Sequence, residues 1–466
     1  MFLYAFAAPL RRGLASAIRE ARLRMSYASD PAAPPSRARG TLLLALLFLA
    51  YMLSFLDRQI IALMVDPIKR DLGLDDLQFS LLHGLGFGVF FALAGLPIAI
   101  AADRVSRTRI IAAGVAGWSV ATSLCGLAQS FATLFLCRVG VGVGEAALAP
   151  AAYSLIADSF DRRRLPLAMA VFSTGSTLGS GLALLAGGEL LAALGRLARP
   201  SGSWAAAFEP WQLAFILAGL PGFALAALVL LLREPPRPRA TGVVWRGQIK
   251  AGFGHMRANL RLYGGLTACI TFTTALSSGF IMWFPALLMR SHGLAVEEAG
   301  REFGIRFAVF ATLGVLAGGW CVGWLQARIG QRAYCRFIAA AVAIAGTAYA
   351  LAGAAHGTAG ALAWVALAIF ATQSLAGVAI AALQIVTPPG IRAQCSAVFL
   401  LSVNLLGYGL GAPLVAAAGK LVFAGAAPLG PALMLVALLL APLALASIML
   451  AARPFAGARL HVPAAA

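Results

Sequence analysis

The sequence predicts an all-α integral membrane protein whose twelve transmembrane helices form two pseudo-symmetric six-helix bundles. The first observation is composition. Of 466 residues, 61% are hydrophobic and 11% are charged, whereas a soluble domain carries about 25% charged residues. The second is a series of uncharged runs, each as long as the roughly 20 apolar residues that cross a bilayer. The third is a basic, proline-containing segment near the middle, which divides these runs six and six.

Helices are predicted for these runs because only helices and closed barrels satisfy every backbone polar group in lipid. The chain has 50 glycines, and small residues let membrane helices pack closely. The predicted spans are 41–64, 79–102, 110–129, 131–157, 165–194, 210–232, 263–289, 303–326, 334–354, 360–386, 394–418 and 428–452.

The spans and the polar segments between them predict five parts of the chain. The middle segment has seven Lys or Arg, three prolines and a single acid, and we expect it to be a cytoplasmic linker with one short amphipathic helix on the membrane surface. The parts are a tail (1–40), an N-terminal bundle (41–232), the linker (233–262), a C-terminal bundle (263–452) and a second tail (453–466).

The net charge of +19 is distributed as a topology signal. Segments that face one side of the membrane hold 26 of the 36 Lys and Arg residues, and those on the other side hold 7. This asymmetry follows the positive-inside rule and predicts that both termini are cytoplasmic; it argues against nucleic-acid binding. Arginine outnumbers lysine 33 to 3, which is typical of GC-rich bacteria, so the predicted location is the bacterial inner (plasma) membrane.

Several chemistries lack their motifs. The six cysteines stand singly, without a CxxC pair or a His/Cys cluster, so we predict neither disulfides nor a metal site. No HExxH or GxSxG motif supports a membrane enzyme acting on lipids, and no GxxxxGK[ST] loop supports a primary pump. We therefore expect no enzyme activity and no cofactor, with a proton gradient as the energy source. A sensor without transport is a further alternative.

The two halves of the chain carry a related loop. "AIAADRVSRTR" (99–109) follows the second predicted span, and "GWLQARIGQRA" (323–333) follows the eighth. Internal repeats around a midplane site are the architecture of alternating-access transporters. Twelve spans with this loop resemble the major facilitator superfamily, whose motif runs Gly-x-x-x-Asp-Arg-x-Gly-Arg-Arg/Lys. The first copy keeps Asp103, Arg104 and Arg107.

The sequence also departs from that motif. Ala99 and Ser106 replace its two glycines in the first copy, and Ala327 replaces its Asp in the second. A family-like Arg-x-x-x-Gly in the fourth span is matched by Arg138 and Gly142. The resemblance covers residues 41–452, and it implies a monomer.

Within the superfamily the chain most resembles the spinster branch of lysolipid and sphingoid-phosphate transporters. Four stretches carry this resemblance: "FLDRQ" (55–59), "RVGVGVGEAALAPAAYSLIADSF" (138–160), "GSTLGSG" (175–181) and "WFPALLMRSHGLAVEEAG" (283–300). Arg-x6-Glu followed by Ala in the fourth span is fairly specific to that branch.

Charged residues inside predicted spans are candidates for proton coupling, because each costs roughly 2.5–3.5 kcal/mol to insert. Arg138 and Glu145 lie two turns apart on one helix face. The resemblance places spans 1 and 4 around a central cavity, so Asp57 is expected near both. With both acids ionised this trio is net −1, and protonation makes it neutral. We predict that Glu145 or Asp57 carries the coupling proton and that Arg138 exchanges partners; a purely structural Arg138, bonded to backbone carbonyls, is the alternative.

Two further residues near this cluster have open roles. Arg58 points about 100° away from Asp57 on a helix, so it either pairs with a neighbouring span or reaches the cavity edge. His83 either joins a proton path or packs as a neutral histidine. In the loop motif, Asp103, Arg104 and Arg107 are predicted to gate the transporter by bridging to helix ends of the other half, with Asp158 as a weaker member; solvated surface charge is the alternative.

The C-terminal half offers candidates for substrate binding. Thr267, Thr271, Thr274 and Ser278 form one helical stripe near Trp283, which is either a polar cavity wall or a packing surface. Arg306 suits a phosphate or carboxylate headgroup, or it pairs with Glu302 one turn earlier. Asn404 is equally open between these roles.

Large apolar surfaces with few polar groups favour an amphipathic cargo. The sequence thus predicts a proton-coupled transporter of a lysophospholipid-like substrate, with protons and the lipid bilayer as its other partners. A carrier of organic anions or a drug efflux pump of the same superfamily is the alternative.

Overall fold

The computed structural model describes residues 37–102, 105–161, 164–198, 207–232, 234, 245–388, 391–423 and 429–458. Within these ranges all regular secondary structure is helical, and twelve helices are long and apolar enough to cross a membrane. The predicted number of spans is therefore confirmed. The helices are α1 (Arg39–Leu63), α2 (Asp76–Gly95), α3 (Arg107–Cys125), α4 (Phe131–Ser159), α5 (Leu167–Leu197), α6 (Pro210–Leu230), α7 (Leu260–His292), α8 (Val296–Ile329), α9 (Arg332–Ala354), α10 (Thr358–Val386), α11 (Gln394–Val422) and α12 (Leu429–Gly457).

Helix boundaries differ from the predicted ones by up to seven residues, and the largest difference at a helix start is that of α8. Helix α8 begins at Val296, seven residues earlier than predicted. Its first turn contains Glu297 and Glu298, which are helical but too polar for a prediction based on hydropathy to include them in the span. Within the described ranges, two short α-helices lie outside the spans. Val65–Leu72 connects α1 to α2, and Trp245–Ala258 occupies the linker, where one short helix was expected.

The spans form the two six-helix bundles expected from the sequence, α1–α6 and α7–α12. The linker leaves α6 and enters α7 at one end of the molecule, which we call the linker end. The opposite end, where Val65–Leu72 lies, is the distal end. Each span reverses the direction of the chain. Helix α1 therefore runs from the linker end to the distal end, and α4 runs from the distal end to the linker end.

Glycines on α4 let the neighbouring helices approach its backbone. A Cβ on Gly142 would lie 2.6 Å from the carbonyl oxygen of Phe87 on α2, and one on Gly144 would lie 2.7 Å from the amide nitrogen of Trp118 on α3. These distances are shorter than van der Waals contact, so the spacing of the three helices depends on having no side chain there. The face of α4 that carries Arg138 and Glu145 is buried in this close packing.

Replacing Gly144 with Ala is expected to destabilise the N-terminal bundle. The added methyl group meets the backbone of Trp118, and overpacking of this kind costs about 1–3 kcal/mol. Thermal unfolding in one detergent should therefore show a lower Tm for Gly144→Ala. Gly117→Ala is the matched control, because a Cβ at that position on α3 meets nothing within 4 Å. Equal Tm values for the two variants would contradict this packing argument.

Two membrane helices contain a π-helical turn, and these turns meet at the boundary between the bundles. They comprise Gly84–Val89 in α2 and Val403–Tyr408 in α11. A Cβ on Gly84 would lie 2.2 Å from the carbonyl oxygen of Gly409, so the two backbones are in direct contact. Single π turns are frequent at functional sites, and this pair lies next to the buried charges of α1 and α4.

Candidate functional site

The centre of the candidate site is a buried ion pair between α1 and α4. Arg58 donates through Nη2 to Oε2 of Glu145 at 2.6 Å, and Ser54 donates through Oγ to the same oxygen at 2.7 Å. Ser54 and Arg58 are four residues apart, so they share one face of α1. Glu145 lies halfway along α4 and its side chain is inaccessible to solvent, so the structure holds a charge near mid-membrane.

Aromatic rings surround the guanidinium of Arg58. Its Cζ lies 4.4 Å from the ring centroid of Phe55, 4.3 Å from that of Phe87 and 5.2 Å from that of Phe91. The negative ring faces stabilise a cation that has lost its water. The site is therefore a charged centre with an apolar wall, a combination that accommodates a polar headgroup beside an apolar chain.

This geometry corrects the predicted partner of Glu145. The sequence led us to expect a trio of Asp57, Arg138 and Glu145, with Arg58 outside it. In the structure Arg58 makes the ion pair with Glu145, so of its two open roles it takes the one of pairing with a neighbouring span. The two adjacent residues Asp57 and Arg58 project on different sides of α1, and it is Arg58 that projects towards the carboxylate on α4.

Asp57 and Arg138 lie beside this pair, and both are fully buried. Arg138 donates through Nη1 to the backbone oxygen of Asp57 at 3.5 Å, and Thr122 donates to Oδ2 of Asp57 at 3.4 Å. The Cζ of Arg138 lies 5.7 Å from the ring centroid of Phe87, so this one ring contacts both arginines. The expected proximity of Asp57 and Arg138 is found, though through the backbone carbonyl and not through a carboxylate ion pair.

Several polar atoms of this cluster are buried without a hydrogen-bond partner in the part of the chain that the structure describes. Leaving such atoms unpaired costs about 1–3 kcal/mol each, so they are places where a proton, a water molecule or a ligand group is stabilising. They are Oδ1 of Asp57, Nε of Arg58, Nε and Nη2 of Arg138, Oε1 of Glu145 and Nδ1 of His83.

His83 ends the first helical segment of α2, directly before the π turn, and it is 7% exposed. It is thus buried at the level of the cluster, as both of its predicted roles require. No cluster of three His, Cys, Asp or Glu residues that could hold a metal ion occurs within the described ranges.

The predicted gate residues lie at the linker end. Arg107 donates through Nε to Oε1 of Glu234 at 2.7 Å and also contacts Asp158 and Ser154 through Nη1. Glu234 follows α6, and Asp158 and Ser154 belong to α4, so these partners lie in the same half as Arg107. We had predicted partners in the other bundle. Glu234 was missed, although it is the single acid of the basic linker. Asp103 and Arg104 lie outside the described residues.

The hydroxyl stripe of α7 packs against α11. Ser278 donates to the carbonyl oxygen of Gly407 at 3.2 Å, and a Cβ on Gly407 would lie 2.9 Å from that of Thr274. Trp283 is fully buried and donates through Nε1 to the carbonyl oxygen of Ala412 at 3.0 Å. For these residues the packing alternative is found. The Oγ1 atom of Thr271, in contrast, is buried without a partner among the described residues.

The other two candidates of the C-terminal half bond within their own helices. Arg306 donates through Nη1 to Oε2 of Glu302 at 2.5 Å and to its backbone oxygen at 2.9 Å, so the pairing alternative is found and a headgroup contact is not needed to satisfy its charge. Asn404 donates to the carbonyl oxygen of Leu400 at 2.9 Å.

Two tyrosines that connect helices within their own bundles were not identified from the sequence. Tyr349 donates to Oγ of Ser277 at 3.2 Å, and the ring of Tyr51 stacks on that of Phe172 at 4.5 Å between centroids. Tyr51 lies seven residues before Arg58, two turns along the same face of α1, and that spacing is the signal that could have found it.

A second charged cluster joins the two bundles at the distal end. Arg290 of α7 donates through Nε and Nη2 to Oδ1 of Asp66 at 2.9 and 2.5 Å, and through Nη1 to Oδ2 of Asp76 at 3.1 Å. Lys420 of α11 donates to Asp75 at 2.9 Å. Asp75 also caps α2 by accepting from the backbone N–H of Gln78, and this bond together with Lys420 lowers the pKa of Asp75.

The chain matches known transporters over most of its length. Residues 47–412 match the family described as the Major Facilitator Superfamily. An MFS-type efflux pump of Mycolicibacterium smegmatis is 32% identical over 284 residues, which are 60% of this chain and 61% of that protein. Protein spinster homolog 1 of Xenopus laevis is 28% identical over 306 residues, which are 61% of this chain and 54% of that protein. The match thus spans about three fifths of these relatives or slightly less.

The solved structures extend the likeness to nearly the whole fold. A bacterial homologue of the human lysosomal transporter spinster, inward-facing and unoccupied, has a TM-score of 0.72 at 28% identity, with 90% of this chain and 96% of that chain covered. An inward-facing, occupied structure of a bacterial spinster homologue has a TM-score of 0.69 at 30% identity with the same coverage. The predicted resemblance is therefore confirmed: the chain belongs to the major facilitator superfamily and is a multi-pass membrane protein similar to spinster homologues.

Proposed function

We propose that this protein is a proton-coupled secondary transporter that moves an amphipathic, lysophospholipid-like substrate by alternating access. The observation that carries the proposal is the buried Arg58–Glu145 ion pair at 2.6 Å. One carboxylate oxygen has no hydrogen-bond partner among the described residues, and three phenylalanine rings surround the arginine. It combines a titratable acid, a cation for an anionic headgroup and an apolar wall for a chain.

The coupling follows from the charge of the cluster. With both acids ionised, Asp57, Arg58, Arg138 and Glu145 sum to zero. Protonation of Glu145 gives the cluster one positive charge and releases Arg58 to bind a phosphate or carboxylate, with which arginine forms strong charge-assisted hydrogen bonds. Because linkage is reciprocal, an anion on Arg58 also favours protonation of Glu145. Proton and anionic headgroup therefore bind together, and Asp57 is the alternative proton acceptor.

Membrane orientation follows from the basic linker and loops. Positive charge concentrates at the linker end, so we place this end and both termini in the cytoplasm, in the inner membrane of a bacterium. The protein then acts as a monomer with the bilayer, protons and its cargo as partners.

A carrier of smaller organic anions, or a drug efflux pump, is the second candidate. Two relatives favour the organic anions: a gallate transporter of Pseudomonas putida is 26% identical over 341 residues, and a probable L-galactonate transporter of Escherichia coli is 25% identical over 300 residues. Both named cargoes carry a carboxylate, and arginine forms charge-assisted hydrogen bonds with carboxylates and with phosphates.

Proteoliposome flux tests the proposal directly. A labelled lysophospholipid is placed in one leaflet, and its arrival in the other is followed by extraction with albumin. We expect a transmembrane pH difference to accelerate movement down the proton gradient and a protonophore to remove the acceleration. Acceleration of labelled gallate with none of the lysophospholipid would favour the second candidate. An equal rate of flux with and without the pH difference would contradict proton coupling.

A further inference from the structure

The distal end holds a pocket of about 370 Å³ between the two bundles. Its polar side chains come from both halves: Lys69, Asp75 and Asp76 from the N-terminal bundle, and Arg290 and Lys420 from the C-terminal bundle. Three cations and two carboxylates thus line the pocket. Arg290 also binds the carboxylate of Asp66, which is not among the lining residues, so the lining itself is net positive.

The remaining wall of the pocket is apolar. Trp283, Phe423 and Leu429 are among its apolar lining residues. A volume of this size falls within the range of about 300–1,000 Å³ typical of small-molecule sites. Cations beside an apolar wall match the chemistry of a molecule with an anionic head and an apolar chain.

Lys420 is the cation that a ligand recruits most readily. Its ion pair with Asp75 is exposed, with 58% of the lysine and 45% of the aspartate side chain accessible, and such pairs contribute little to stability. Asp75 keeps its hydrogen bond from the backbone N–H of Gln78 when Lys420 leaves. Transfer of Lys420 to an anion therefore leaves no buried charge unpaired. Arg290, held by two aspartates, adds a second cation without leaving them.

We propose that this distal pocket is a second binding site, which takes an amphipathic anion with a phosphate or carboxylate head and is separate from the Arg58–Glu145 site. The inference rests on the proposed function for the class of ligand only. The pocket exists while the two bundles touch at the distal end, because both supply its walls. A ligand in it consequently stabilises the distally closed state, and cargo that has accumulated on that side slows further opening.

Protection of a cysteine in the pocket tests the site without any transport measurement. Gly419 lines the pocket, and a Cβ there has no atom nearer than 3.8 Å, so Gly419→Cys is a reporter that fits; Leu77→Cys, on the opposite wall, is the second reporter. The protein is placed in nanodiscs and labelled with a membrane-impermeant maleimide. Decyl phosphate is the probe, compared with inorganic phosphate, decanol and decyltrimethylammonium.

We expect decyl phosphate to slow labelling by roughly threefold or more once its concentration exceeds about twice its Kd. Inorganic phosphate should slow labelling less, and the neutral and cationic amphiphiles should leave it unchanged. Lys420→Gln should remove the protection. Arg70→Gln is the matched control, because Arg70 is an exposed cation at the same end, outside the pocket lining, and it should retain the protection.

Two results would overturn the site. One is equal protection by decyl phosphate and decyltrimethylammonium, and the other is full protection in Lys420→Gln. Protection by inorganic phosphate alone would identify a free-anion site in place of an amphiphile site and would likewise contradict the proposal. Because labelling needs no flux, loss of protection and loss of pH-driven transport are separate outcomes, and each proposal can fail while the other holds.

Discussion

Glu145→Gln is expected to uncouple the transporter from the proton gradient. Glutamine has nearly the shape of a protonated glutamate, and its amide oxygen still accepts from Ser54 and Arg58, which both bond to Oε2 of Glu145. The cluster therefore keeps its packing but carries a fixed positive charge. The difference between flux with and without a pH gradient should fall roughly 5- to 150-fold, the range of ordinary coupling free energies.

Counterflow separates this effect from simple loss of folding. Exchange of labelled for unlabelled substrate at equal pH on both sides needs no net proton movement, so Glu145→Gln should retain it. An inactive or misfolded protein would lose both activities. Glu302→Gln makes the same chemical change in the partly exposed i,i+4 pair with Arg306, and it should keep gradient-driven flux at the wild-type level.

Full gradient-driven flux in Glu145→Gln would show that Glu145 is not the proton carrier. In that case Asp57→Asn becomes the decisive variant, because Asp57 is the other buried acid of the cluster and has an unpaired Oδ1. Loss of coupling in Asp57→Asn alone would move the proton step to α1 while leaving Arg58 as the anion-binding group.

The fold was predictable from the sequence because its strongest signal is hydropathy, which is read locally. Each span is a long run with few charges, and the bilayer thickness sets the length of such runs. The predicted start of α8 was wrong for the same reason. Its first turns carry charges, of which Glu297 and Glu298 come first, and hydropathy does not recognise a helix that extends beyond the apolar region.

The members of the central site were predictable, but their pairing was not. Charges inside spans single out Asp57, Arg58, Arg138 and Glu145, because each needs a partner in a membrane. Which arginine faces Glu145 depends on the rotation of α1 relative to α4. Successive residues on a helix point about 100° apart, so the rotation of α1 decides which of Asp57 and Arg58 projects towards Glu145.

The distal cluster was missed because its partners are far apart in sequence. Arg290 and Asp66 are separated by 224 residues, and Lys420 and Asp75 by 345. Each of these charges lies at a helix end, where a solvated side chain is the ordinary expectation. The α7 stripe shows the complementary limit, since its spacing correctly places Thr274 and Ser278 on one face but does not say that the face meets α11.

Arg290→Gln is expected to shift the conformational equilibrium towards opening at the distal end. Arg290 binds Asp66 and Asp76, both from the N-terminal bundle, through charge-assisted hydrogen bonds. Its loss removes this attraction between the bundles and leaves Asp66 without that partner, whereas Asp76 keeps its ion pair with Lys69. Such bonds contribute about 1.5–3 kcal/mol when shielded. Solvent screening of the partly exposed aspartates reduces this to about 1–2 kcal/mol, which is roughly a 5- to 30-fold change in the ratio of open to closed molecules.

Distances between spin labels measure this change. Arg70 and Leu421 lie on opposite bundles at the distal end and are exposed, Leu421 at 79%. Cysteines at both positions, in a background without the six native cysteines, carry the labels. Pulsed electron paramagnetic resonance in nanodiscs should show a larger long-distance population in Arg290→Gln than in the wild type.

Arg301→Gln is the matched control for Arg290→Gln. Arg301 also joins the bundles at the distal end, through Glu189 of α5, but the distance is 3.6 Å and the two side chains are 46% and 53% exposed. A pair of this kind contributes about 0–1 kcal/mol, so the population shift should be small and should vanish at high salt. If Arg301→Gln opened the distal end as far as Arg290→Gln does, general loss of positive charge would explain both results, and Arg290 would have no specific role in holding the bundles together.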